Sequence, residues 1–133
     1  MIEPSKMKID NLNKFNFLDA IKFNGEIFGT RKQFLRRFLW QYRHYPLPIS
    51  KKLIRGLLLR NHNNKVKGQY LVTPIEYFSN RKKALGYYGT DYYVLEESRG
   101  IGGLSLALEV QKKYNPFFSF GELGNSKISK YIG

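Results

Sequence analysis

Tyr92-Tyr93-Val94-Leu95-Glu96-Glu97-Ser98-Arg99-Gly100-Ile101-Gly102-Gly103-Leu104 decides how the chain must be read. The stretch starts apolar and aromatic, as strands do. It passes through a short polar turn and three glycines within four residues. It then enters Leu104-Ser105-Leu106-Ala107-Leu108-Glu109-Val110, a run of helical period without Gly or Pro. Glycines let a backbone approach a ligand closely and adopt positive φ. A helix start behind them offers unpaired N–H groups and the positive end of a dipole, which together suit a phosphate. The competing reading is a tight strand-to-helix turn that holds no ligand. The G-x-G-x-x-G spacing of a dinucleotide fold is not met, and no Gly-Lys-Ser/Thr follows as in a P-loop.

Upstream, three runs suit an antiparallel meander. Leu53 to Arg60 is apolar, Lys67 to Phe78 is rich in Val, Tyr, Thr and Ile, and Ala84 to Leu95 carries four tyrosines. Asn61-His62-Asn63-Asn64 and Ser79-Asn80-Arg81-Lys82-Lys83 supply the turns. Pro74 inside the second run implies an edge position or a bulge. Earlier still, residues 31–43 predict the clearest helix. Phe34, Leu35, Phe38, Leu39 and Tyr42 share a face, and Pro46 and Pro48 stop it. Met7 to Leu12 reads as a short edge strand and Phe17 to Ile21 as a brief helix. Downstream, Asn115-Pro116 ends the glycine-led helix, Phe117 to Phe120 gives a short strand, and Gly124 to Ile132 a last helix. The order β-α-α-β-β-β-α-β-α predicts an α/β (α+β) domain with a mixed sheet.

The 133 residues fit one domain, with 42% hydrophobic and 16% aromatic residues to fill its core. Cysteine is absent, which excludes disulfides, thiolate metal sites and a cysteine nucleophile. His44 and His62 are the two histidines, so no metal cluster is expected. No run is long and apolar enough for a membrane span, and Met1 to Lys6 lacks the order of a signal peptide, so a cytoplasmic location is the default expectation. The net charge is +13, and between Ile27 and Ile75 no Asp or Glu occurs. That stretch holds Arg31, Lys32, Arg36, Arg37, Arg43, Lys51, Lys52, Arg55, Arg60, Lys65 and Lys67. It suits an anionic partner, whether nucleic acid, a phosphorylated cofactor or an acidic surface, or else a solvated face.

The run from Tyr92 to Leu104 resembles the acyl-CoA-binding segment of GNAT N-acetyltransferases, in which an apolar strand and an Arg-Gly-x-Gly turn precede an amphipathic helix. The order of elements from Met7 onward is similar too. The aromatic Trp40-Gln41-Tyr42 before Pro46 resembles GNAT-like proteins of surface-polysaccharide loci. The resemblance implies a GNAT-like sheet that lacks the family's last two strands, in a single domain over 1–133. It implies acetyl-CoA as donor and an amine, such as an amino sugar, as acceptor, with no metal. The backbones of Tyr92 and Val94 would pair with the pantetheine arm, as in strand addition to a sheet edge. The amides of Gly100, Ile101, Gly102 and Gly103 would hold the pyrophosphate beside Arg99, and Asn125 would begin the last helix near the cofactor.

Direct attack of an amine on a thioester needs a base for the ammonium proton and an acid for the thiolate. Asp91 on the central strand is the nominal base, with Glu76 behind it; each also reads as a structural carboxylate. Glu96 and Glu97 suit the turn, and the tyrosines around Tyr87, Tyr88, Tyr92 and Tyr93 suit strand contacts. Two classes of function stand: an acyl-CoA-dependent N-acyltransferase, and a non-catalytic basic module for nucleic acid with Arg31 to Arg60 as its footprint. An inactive remnant of the enzyme fold is a third outcome. An exposed last strand would pair two copies through the sheet edge.

Overall fold

The computed structural model describes residues 7–29, 32–33, 35–36, 39–40 and 55–119. Strand β1 (Lys8–Asn11) leads through an asparagine knot into helix α1 (Phe17–Phe28). Asn13 Oδ1 accepts from the Phe15 and Asn16 amides at 2.8 and 3.2 Å, and Asn16 Nδ2 donates to Asn11 O at 2.9 Å. Short amide side chains thus satisfy the backbone of the turn that leads into the helix, whose N-cap residue Asn16 makes no side-chain cap of its own. The helix ends where Gly29 takes φ +66 and its N–H reaches Gly25 O, a left-handed cap. It runs well past the brief 17–21 helix expected, because Phe23 and Asn24 continue the buried face of Ala20 and Ile21. Residues 32–33, 35–36 and 39–40 are helical, in line with the helix read at 31–43.

The meander follows as β2 (Gly56–Arg60), β3 (Val66–Ser79) and β4 (Lys82–Val94). Asn61 Oδ1 accepts from the amides of Asn63 and Lys65, and Asn64 turns at φ +64. At the second hairpin Asn80 and Arg81 both carry positive φ, the geometry of a tight two-residue turn. A 3-10 turn (Glu96–Ser98) and helix α2 (Ile101–Lys113) precede β5 (Phe117–Phe118). The sheet order is β1-β2-β3-β4-β5, antiparallel except for β5, which lies parallel to β4. Pro74 sits in the middle of the sheet order, yet β2 pairs with β3 only up to Leu71. Pro74 itself pairs with Tyr87 of β4, and among the described residues the nearest irregularity in that pairing falls between Gln69 and Leu71. The segment expected as a last helix, and Asn125 within it, lie outside the described residues.

Leu57, Leu58 and Leu59 are nearly fully buried, because helices cover both faces of β2. Leu57 and Leu59 pack with Tyr70, Val72 and Val94 against Leu106, Ala107 and Val110 of α2. Leu58 and Leu71 pack against Ala20 and Ile21 of α1. Each such side chain contributes on the order of 2 kcal/mol. Arg60 ends β2 with its own side chain buried, 2.5 Å from Asp10 and 2.8 Å from Asp19, two carboxylates that stay partly exposed. Burial opposes its charge, but hydrogen bonds to the two carboxylates outweigh that and hold the guanidinium above its ordinary pKa. Arg60 therefore does not belong to an outward anion-binding footprint, and this corrects the expectation from sequence.

Candidate active site

Strand β4 carries a bulge. Between the pairs Gln69↔Tyr93 and Leu71↔Thr90 it uses one residue more than β3, and Asp91 takes φ +54. Aspartate is among the few side chains that tolerate that region. The bulge is buttressed from below. Gln69 Nε2 donates to Asp91 O at 2.9 Å and to Asn24 Oδ1 at 3.0 Å. Asn24 Nδ2 in turn donates to Gln69 Oε1 at 2.5 Å and to Ala20 O at 2.8 Å. Both amides are buried, so α1 is tied through them to the bend in β4. Sequence reasoning did not single them out. The available signal was a polar residue in each of two apolar patterns, Asn24 after Ala20 and Gln69 beside Tyr70-Leu71-Val72.

The same bend opens an edge. Leu95 N–H donates to Lys67 O at 2.8 Å, so the backbone of Leu95 faces β3. By the alternation of a ladder, Val94 and Tyr92 present their backbone groups to the opposite edge. There β5 pairs with Tyr87 and Tyr88 alone, and among the described residues no strand pairs with Tyr92 or Val94 on that edge. Arg99 folds back onto it: its Nε donates to Val94 O at 2.9 Å, and its guanidinium carbon lies 5.7 Å from the centroid of the Tyr93 ring. A carbonyl has two lone pairs, so Val94 O can accept a second donor.

The glycines divide their tasks. Gly100 caps α2 at φ +80, where a β-carbon would meet nothing within 4 Å. Gly102 and Gly103 are buried against the sheet. A β-carbon at Gly102 would lie 3.1 Å from Met7 Sδ and 3.2 Å from Leu59 Cδ2, and one at Gly103 would lie 3.2 Å from Tyr92 Oη. Those two glycines let the helix lie close on β1, β2 and β4. Ile101, by contrast, is 63% exposed. Among the described residues no side chain caps this helix start and no acid lies in its first turn, a setting that suits an anion at its N–H groups and dipole. Beside them Ser98 Oγ is buried with no hydrogen-bond partner among the described residues. These features fit the phosphates of a nucleotide thioester.

An aromatic wall lines the helix side of the edge. Tyr92 stacks on Tyr70 at 4.3 Å and donates its hydroxyl to Gly103 O at 2.6 Å. Burial, with a smaller contribution from Tyr70, pushes the Tyr92 phenol up to about 12. Phe117 meets Tyr70 edge-on at 5.5 Å. A β-carbon at Gly89 would overlap Phe117 and lie 2.7 Å from Tyr70 Cε1, so Gly89 is what lets these rings close on β4.

The remaining candidates fall away from this place. Glu76 pairs with Lys83 at 3.4 Å in the outer β3–β4 hairpin. Glu97 pairs with Lys67 at 3.1 Å, and its own backbone N–H together with that ammonium holds its carboxyl below the usual range. His62 stands exposed in the asparagine turn, and His44 lies outside the described residues. The structure thus brings Asp91, Tyr92, Val94, Arg99, Gly100, Ile101, Gly102 and Gly103 to one strand end and one helix start.

No protein-family model and no curated protein sequence matches the chain. Solved structures do. A "putative acetyl transferase" of Pyrococcus furiosus aligns with a TM-score of 0.64 at 14% identity, over 95% of this chain and 89% of its own. The aminoglycoside antibiotic 6′-N-acetyltransferase of Acinetobacter baumannii aligns at 0.58 and 17% identity, over 95% and 86%. An aminoglycoside acetyltransferase from an uncultured soil metagenomic sample, in complex with sisomicin, aligns at 0.60 and 15% identity, over 96% and 86%. The chain therefore has the fold of acetyltransferases, a mixed α+β sheet between helices.

Proposed function

We propose that this chain is an N-acyltransferase that moves an acyl group, acetyl in the first instance, from coenzyme A to an amine. One observation carries the reading: a strand edge at Tyr92 and Val94 that no described strand pairs runs straight into a helix start that, among the described residues, has no side-chain cap and no acid in its first turn. A CoA thioester is an extended amide-bearing arm attached to a pyrophosphate, so it needs both surfaces side by side. In this reading the arm adds to β4 through the backbone of Tyr92 and Val94, and the amides from Gly100 to Gly103 hold the pyrophosphate. Arg99 adds positive charge once its guanidinium turns from Val94 O. The acceptor nitrogen, as a free amine, attacks the thioester carbonyl, and the C–S bond breaks as the C–N bond forms. The proton leaving nitrogen passes to a base, and the thiolate takes a proton from an acid or from water. Asp91, the carboxylate carried on the bulge, is assigned as that base. An amino sugar is the acceptor class that the aminoglycoside acetyltransferases support.

Calorimetry with acetyl-CoA tests the reading, with two variants chosen from the geometry. Ile101→Glu adds an acid at an exposed helix start, where it suits the dipole and repels phosphate. It should keep the fold and weaken acetyl-CoA roughly a hundredfold. Asp91→Asn keeps a residue that accepts positive φ. It should bind acetyl-CoA as before and lose about 10²- to 10⁴-fold in turnover with an amine. A folded wild-type chain that binds no CoA thioester would end this reading.

A further inference from the structure

We infer that Phe117, held against Gly89 by Tyr70, sets the length of the acyl group and confines the donor to an acetyl-sized thioester. The inference rests on the proposed CoA site and follows from its direction. With the phosphates at the 100–103 turn, the arm runs back along β4 from Val94 past Tyr92 toward Gly89. Its thioester end then meets the place where β5 closes the edge, at the pair Tyr88↔Phe118. On the α2 side that junction is filled. The Phe117 ring occupies the space in front of Gly89, and Tyr70 braces it edge-on at 5.5 Å while stacking on Tyr92 at 4.3 Å. On the other face Phe118 lies against Tyr77 at 5.2 Å, over Gly86 and one step nearer the hairpin. A chain longer than two carbons would have to displace Phe117. The alternation of two glycines, Gly86 and Gly89, under two phenylalanines is what makes the closure tight on both faces.

Calorimetry with acetyl-CoA, octanoyl-CoA and free CoA on the full chain decides it without any knowledge of the acceptor. Wild type should bind octanoyl-CoA at least about tenfold more weakly than acetyl-CoA, since added methylenes find no room. Phe117→Ala should close or invert that ratio and leave free CoA unchanged. Phe78→Ala, exposed at the far end of the β3–β4 hairpin, should leave the ratio as in wild type. If Phe117→Ala does not fold, Phe117→Leu should move the ratio in the same direction. An unchanged ratio in a folded Phe117 variant overturns the inference, as does equal binding of both thioesters by wild type. Failure of wild type to bind any CoA species instead overturns the proposed function, and this inference falls with it.

Discussion

Gly100, Gly102 and Gly103 read alike in the sequence, and the structure separates them by what surrounds each backbone. Gly100 needs its freedom for φ +80 in open space, while Gly102 and Gly103 need theirs to lie on Met7, Leu59 and Tyr92. A ligand-blocking acid at Gly102 would first have to move Met7 and Leu59, which is why Ile101 is the cleaner probe. Tyr92 offers a second test at this scale. Its hydroxyl is held by Gly103 O and its phenol is pushed from an ordinary 10.0 up to about 12. The neutral form is favoured in the fold, so this stability is complete below pH 10 and is lost as the pH climbs to about 12. Burial raises Tyr70 and Tyr114 in the same direction. Denaturant midpoints measured from pH 8 to pH 12 should therefore fall above pH 10, and Tyr92→Phe should flatten that fall. At pH 7 the same variant should cost about 1 kcal/mol for the lost hydrogen bond.

The elements were largely legible because their signals are local. Asn-rich and Asn-Arg turns, prolines after apolar runs, and period-2 aromatic strands each act over a few residues. The meander, the glycine-led helix and the short strand after Asn115-Pro116 stand where those signals put them. The bulge was not legible, because it is set by a long-range contact: Gln69 and Asn24 are 45 residues apart and meet only once α1 lies on the sheet. That pair is the device that shapes the candidate site. Gln69→Leu would remove the donor to Asp91 O and both hydrogen bonds that Gln69 shares with the buried Asn24 amide, and should cost about 2–4 kcal/mol. Asn24→Leu should cost a similar amount. The double variant should lose clearly less than the sum, with a coupling of roughly 1 kcal/mol or more, since each single change takes two hydrogen bonds from the other buried amide. Additive losses in urea melts would show that the two amides act independently and that the bulge is held by something else.

Across the whole molecule the question is what the +13 charge serves. The acids that the structure shows in ion pairs are spent inward or locally: Asp10 and Asp19 on Arg60, Glu76 on Lys83 and Glu97 on Lys67. Among the described residues these pairs join four acids to three bases, and pairing leaves the net excess of +13 unchanged. Composition had shown the excess, but not that its most central member, Arg60, is buried. A field of this sign raises encounter with any anion, CoA included, and opposes a polycation. Salt separates the two functions such a surface could serve. A short single-stranded nucleic acid should bind through backbone phosphates and released counterions. If six or more phosphates are engaged, its affinity should drop by about 10³-fold or more between 50 and 200 mM salt. Acetyl-CoA should drop by less than about tenfold over that range, because its arm is held by uncharged hydrogen bonds to β4, which salt does not screen. Ile101→Glu sharpens the comparison: it should weaken acetyl-CoA roughly a hundredfold and barely change nucleic-acid binding, which depends on the many cations spread over the surface. If both ligands instead share one steep salt slope and both are lost in Ile101→Glu, the helix start is a general anion site. The strand edge at Tyr92 and Val94 would then have no part in recognition.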